Sequence, residues 1–157
     1  MLCISVEEFL FWKKKQLSKG GDQQSFDVLL DCIGDISTRD LNLKILNPKG
    51  KLYLKKNLDF LESVWDNHLL KSCPIQYLCG ITFWRDLKLK VTNKVLIPRP
   101  ETELIVDIVF NIFRRKAEKL FFAELGTGSG AISIALALAY PFSEGVATDI
   151  DLSLIHI

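Results

Sequence analysis

The sequence predicts an α/β chain: a small N-terminal helical bundle, then a β-hairpin linker, then the opening of a nucleotide-binding parallel sheet. Three observations carry this. Apolar residues recur at helical spacing up to about residue 72. The apolar period changes to two beyond Pro74. The stretch FFAELGTGSG, residues 121–130, then reads as a buried strand running into a glycine turn that opens a helix.

The bundle is built from capped helices. Ser5 and Glu8 form a capping box, in which the Ser5 hydroxyl and the Glu8 carboxylate each satisfy a backbone N–H. Val6, Phe9, Leu10 and Leu17 follow as a stripe that Gly20-Gly21 ends. Phe26, Leu29, Leu30 and Ile33 repeat the pattern up to Gly34. Ser37 or Thr38 caps a short third helix through Leu43. Asn47-Pro48-Lys49-Gly50 is a turn. Leu54, Leu58, Leu61, Trp65 and Leu69 mark a longer helix. Lys13-Lys14-Lys15 is read as a solvated helix face.

In the linker, Leu87, Leu89 and Val91 alternate with Lys88, Lys90 and Thr92, with turns at Arg85-Asp86 and Asn93-Lys94. It leads to Pro98-Arg99-Pro100-Glu101-Thr102-Glu103. Pro100 suits a first helical position, and two glutamates in a first turn favour the helix dipole. Leu104, Ile105, Ile108, Val109, Ile112 and Phe113 are expected to form one core-facing helix face, with Arg114, Arg115 and Lys116 complementing its end.

The chemistry is expected at the glycine turn. The strand, residues 120–125, is apolar on both faces, as a central parallel strand should be. Gly126, Gly128 and Gly130, alternating with Thr127 and Ser129, let the backbone pass close to a ligand, because glycine has no Cβ and tolerates positive φ. A helix of small apolar residues follows until Tyr140-Pro141, and its first N–H groups point at the same place. Residues 145–149 read as a second strand ending in Asp149. An acid roughly 20 residues beyond such glycines takes ribose hydroxyls. The unit should therefore hold an adenosine-containing cofactor. Gly126, Gly128 and Ala131 also satisfy the looser dinucleotide pattern. Two details favour S-adenosyl-L-methionine instead: the glycines repeat as G-x-G-x-G, and Glu124 stands just before them. A carboxylate repels a pyrophosphate and welcomes a methionine ammonium.

Composition is that of an ordinary globular chain: 157 residues, 48% apolar, net charge +1. It gives no strong bias toward nucleic acid or membrane. The apolar run at 131–142 is too short to span a bilayer. The first residues, MLCISVEEFL, lack the basic region of a signal peptide. Cys3, Cys32, Cys73 and Cys79 form no C-x-x-C pair and have no histidine at zinc spacing, so no metal site is expected. They are read as reduced thiols of a cytoplasmic protein. A monomer is expected.

PIQYLCG at 74–80, VLIPRPETE at 95–103 and ELGTGSGAI at 124–132 occur in the order and at the intervals of one family. Together they closely resemble the HemK/PrmC family, the protein-(glutamine-N5) methyltransferases of peptide chain release factors. The resemblance covers about residues 1–151, and bacterial members, cyanobacterial ones included, look nearest. It implies an N-terminal helical substrate-recognition domain at 1–73, a hairpin linker at 74–98, and the start of a Rossmann-like class I methyltransferase domain, truncated, at 99–157. It implies S-adenosylmethionine as cofactor and a release factor as protein substrate, with no direct nucleic-acid contact. By position, residues 126–130 line the methionine part of the cofactor and Asp149 takes its ribose. Thr102 and Glu103 border the same pocket. Glu124 stands where the family commonly has aspartate, which keeps the charge.

That family binds the target amide through an Asn-Pro-Pro-Tyr motif. The motif is absent here; the only Asn-Pro is Asn47-Pro48. No catalytic residue is therefore assigned, and the chain is expected to be the inactive N-terminal part of such an enzyme. Residues after Asp151 depart from the family pattern, so His156 is no catalytic candidate. The alternatives are a nucleic-acid amino-methyltransferase of the same fold, an NAD-binding oxidoreductase, and a non-catalytic docking unit.

Overall fold

A computed structural model describes residues 2–47, 49–113 and 119–150. Pro48, the basic run Arg114-Arg115-Lys116 and the tail with His156 lie outside the described residues. Helix and strand are mixed throughout, in two compact units, Met1–Cys79 and Gly80–Ile157.

The first unit runs β1 (Leu2–Ser5), α1 (Val6–Ser18), α2 (Gln23–Leu29), α3 (Thr38–Ile45), β2 (Lys51–Leu54), α4 (Leu58–Lys71) and α5 (Ile75–Cys79). A π turn, Leu30–Gly34, extends α2 and ends at Asp35 in the left-handed region. The capping hydroxyls of Ser5 and Ser37 act as read. Ser5 Oγ accepts the Glu8 N–H at 3.2 Å, and Ser37 Oγ accepts the Asp40 N–H at 3.0 Å. Asp22 and Asn57 cap α2 and α4 in the same way. The reciprocal bond from the Glu8 carboxylate does not form among the described residues. Helix α3 runs two residues past Leu43, to Ile45.

One expectation fails here. Leu54 does not begin the long helix; it ends β2, which pairs antiparallel with β1 in the register Leu2↔Leu54 to Ser5↔Lys51. Strand β2 exposes Lys51 and Tyr53 and buries Leu52 and Leu54. Four residues of alternation are too few to compete with the helical stripe that follows them in sequence. Strand β1 went unread for the same reason.

The core of this unit is aromatic. Phe9, Phe26, Leu29, Leu61 and Trp65 are fully buried. Phe26 meets Trp65 edge-on at 5.0 Å between centroids, and the Trp65 indole donates to the Gln16 carbonyl at 3.1 Å. Gly21, at φ +81°, is required by this packing: a Cβ there would lie 2.6 Å from the Trp65 ring. No disulfide joins the cysteines, of which Cys32 is buried and Cys3 exposed. A hydrogen bond with Cys32, then burial, pushes the Cys79 thiol far above its usual range.

The second unit opens with the hairpin, β3 (Ile81–Trp84) against β4 (Leu87–Lys90), in the register Ile81↔Lys90. Arg85, at φ +51°, makes the tight turn. A 3-10 turn, Pro100–Thr102, leads into α6 (Glu103–Ile112), with Thr102 Oγ1 donating to the Arg99 carbonyl at 2.6 Å. Then come β5 (Phe121–Leu125), α7 (Ala131–Ala139) and β6 (Glu144–Thr148). Strands β5 and β6 pair in parallel, Phe121↔Glu144 to Leu125↔Thr148, with α7 as the crossover. Tyr140 stops α7 and is buried, its hydroxyl donating to the Phe113 carbonyl at 2.6 Å.

The expected core face of α6 is corrected. Val106 is fully buried, and Val109, Phe110 and Phe113 pack beside it at helical spacing. Leu104, Ile105, Ile108 and Ile112 are exposed. Its polar residues Glu103, Asp107 and Asn111 recur at every fourth position, so periodicity favoured the face opposite them, whereas packing against α7 buries the flank that carries Val106 instead. Strand β5 is apolar on both faces as read, but only Phe122 and Glu124 are partly covered; Phe121 and Leu125 are exposed.

Candidate functional site

The glycine turn sits between the C-terminal end of β5 and the start of α7. Gly126, Gly128 and Gly130 take φ of 71°, 56° and 75°, a region that costs other residues energy. The turn is tied to β6. The N–H groups of Gly126 and Thr127 both donate to the Thr148 carbonyl, at 2.8 and 3.0 Å. The Gly128 N–H donates to Asp149 Oδ2 at 2.8 Å. Gly130 is the N-cap of α7, and its N–H reaches the Thr127 carbonyl at 2.9 Å. Ser129 is half-buried at the tip. The structure thus brings Gly126, Thr127, Gly128, Ser129, Gly130 and Asp149 into one place.

A second carboxylate closes the other side. Glu124 Oε2 accepts the Thr127 hydroxyl at 2.8 Å and the Ser133 N–H at 3.0 Å, and it also accepts the Ser133 hydroxyl. Thr127 and Ser133 are both buried. Glu124 therefore reaches from the strand to the N-terminal turn of α7, where a negative charge is favourable. The Thr148 hydroxyl donates to the Glu124 carbonyl at 3.5 Å.

Two carboxylates, Glu124 and Asp149, thus flank a helix N-terminus and accept some of its donors. An anion entering the turn would meet both. A cation or a set of hydroxyls would find acceptors. The acceptor set suits a cation or a hydroxylated ligand better than a pyrophosphate.

Sequence reasoning missed Ser133 and Val95. Ser133 is the one polar residue in the helix AISIALALA, and that was its available signal. Val95 begins the VLIPRPETE stretch, and its Cγ2 would lie 3.2 Å from a Cβ on Gly128. Val95 thus lies against the glycine turn. The Thr102 hydroxyl is bonded to Arg99, and the Glu103 carboxylate lies 4.0 Å from Arg85.

Among the described residues, no cluster of three or more His, Cys, Asp or Glu side chains could hold a metal ion. Nor is any described helix long and apolar enough to cross a membrane.

No family model matches the chain. Known proteins do. The chain is 44% identical over 149 residues to the release factor glutamine methyltransferase of Prochlorococcus marinus, covering 93% of this chain and 50% of that protein. It is 34% identical to the protein of the same name from Synechocystis, over 88% of this chain and 48% of the relative. The protein of that name from Bacillus cereus is 35% identical over 86% of this chain and 47% of its own length. The chain spans about half the length of the curated relatives it matches. The resemblance carried by the three motifs is borne out.

Proposed function

We propose that this relative of the release factor glutamine methyltransferases holds S-adenosylmethionine at the glycine turn, as part of an enzyme that methylates a release factor. The acceptor is the side-chain amide of the glutamine in the Gly-Gly-Gln loop. The observation that carries the reading is the pair of carboxylates, Glu124 and Asp149, at the two sides of the turn. The names of the relatives support the substrate.

When bound, S-adenosylmethionine supplies an activated methyl group. The residues of this chain bind and orient. Asp149 accepts from the ribose hydroxyls and, through the Gly128 N–H, holds the turn against β6. Glu124 accepts from the methionine ammonium. Gly126, Gly128 and Gly130 keep the backbone free of side chains where the ligand lies along it. The proposed architecture is the opening of a Rossmann-like sheet behind a helical substrate-recognition domain at 1–73, joined by a linker at 74–98. Cytoplasmic location and a monomeric state belong to the same proposal.

The test is calorimetric titration of the full-length protein with S-adenosylmethionine and with NAD, followed by radiolabelled methyl incorporation into a release factor. Binding of the first ligand and labelling of the Gly-Gly-Gln glutamine are expected. Binding of NAD alone would overturn the reading in favour of a dinucleotide enzyme.

A further inference from the structure

The bonds to Glu124 are unevenly placed. Three donors converge on Oε2: the Thr127 hydroxyl, the Ser133 N–H and the Ser133 hydroxyl. Among the described residues, none reaches Oε1. A carboxylate that served only to cap α7 could share its donors between both oxygens. Here one oxygen is fully engaged with the protein, and the engaging side chains are themselves buried, each 6% exposed. Those bonds fix the carboxylate plane relative to the turn. A held acceptor loses less rotamer freedom when a ligand arrives, so its bond to a cation is stronger.

We infer that Thr127 and Ser133 are positioning residues which hold Glu124 by one oxygen so that the other receives the ligand's ammonium group. This rests on the proposed reading of the site and specifies which atoms of the ligand it recognises. Neither hydroxyl touches the ligand in this arrangement; each acts through Glu124. A structural role in shaping the turn would instead affect every ligand equally.

The experiment compares two ligands on the full-length protein by calorimetry. S-adenosylmethionine carries the ammonium; 5′-methylthioadenosine has the same nucleoside and no amino-acid part. Ser133→Ala and Thr127→Val should each weaken S-adenosylmethionine about tenfold, the size expected for disturbing a bond to a charged group. Each should leave 5′-methylthioadenosine within about twofold, and Ser133→Thr, which keeps the hydroxyl, should restore the wild-type difference. Circular dichroism melts confirm that the variants fold. Equal loss of both ligands, or loss of neither, would overturn the positioning role. So would equal affinity of the wild type for the two ligands, while the adenosine site itself would stand. Wild type that binds neither ligand would sink the site reading, and this inference with it.

Discussion

At the residue scale, two glycines make opposite kinds of demand. Gly21 combines φ +81° with a Trp65 ring atom 2.6 Å from where a Cβ would sit. Gly21→Ala should therefore overpack a fully formed aromatic core and cost about 1–3 kcal/mol. A thermal melt should show it as a drop of several degrees, and an unchanged melt would contradict the packing described. Gly128 is different, because it also lies in the proposed ligand turn. Its φ is +56°, a Cβ added there would lie 3.2 Å from Val95 Cγ2, and its N–H serves Asp149. Gly128→Val and Asp149→Ala should each lower S-adenosylmethionine affinity of the full-length protein roughly tenfold or more. Unchanged affinity in both would remove these residues from the site. Gly126 was equally visible in sequence, yet a Cβ there would meet open space. Its φ of 71° alone makes it selective for glycine.

At the element scale, α1 and α4 are joined by a charge clamp. Lys19 Nζ lies 2.6 Å from Glu62 and 2.8 Å from Asp66. The Lys19 bond holds the Glu62 carboxyl below its usual range, and the Asp66 and Glu62 bonds hold the Lys19 ammonium above its own. A depressed carboxyl contributes stability above its unfolded pKa, about 4.3, which is lost as pH falls through the folded value. A raised ammonium contributes below its unfolded pKa and loses that as pH rises through the folded one. The clamp should thus be complete at neutral pH and dissolve in acid. Because it is solvent-accessible, the effect should be small, a few degrees of melting temperature at most. Glu62→Gln should flatten the acid side of the melting profile; an identical profile would mean the clamp adds nothing. Asn57→Ala removes the cap of α4 and should cost about 1 kcal/mol, read from the same melts. Caps of this kind were legible at Ser5 and Ser37, where a side-chain oxygen precedes an apolar stripe. The β1–β2 pairing was not, since its partners lie some fifty residues apart in sequence.

At the scale of the whole molecule, the two units differ in how completely they cover themselves. The first has its own aromatic core, and residues 1–79 are expected to fold alone. Circular dichroism of that segment should show a helical spectrum with a cooperative melt; a random-coil spectrum would refute it. The second unit leaves much apolar surface open. Phe121 is 66% exposed, Leu125 84% and Val146 62%, and Leu104, Ile105, Ile108 and Ile112 lie exposed along α6. A two-stranded parallel sheet with an open apolar face is a poor structure in water. Taken without the rest of the proposed monomeric enzyme, these 157 residues should therefore self-associate and bind a hydrophobic dye. Light scattering that finds a monodisperse monomer without dye binding would show the face to be covered.

Sequence alone determined the local features, because their causes are local. A side-chain oxygen before a helix, a glycine run needing positive φ, an apolar strand and an acid at a set distance all act within a few residues or one βαβ unit. The glycine turn and Asp149 were found that way. Tertiary structure decided what depends on neighbours distant in sequence. It alone paired β1 with β2 and moved Leu54 into a strand. It chose which side of α6 faces the core, against the side that periodicity favoured, because packing against α7 decides it. And it brought Ser133 and Thr127 onto a single oxygen of Glu124, because that geometry exists only once the turn has folded the helix start back against the strand.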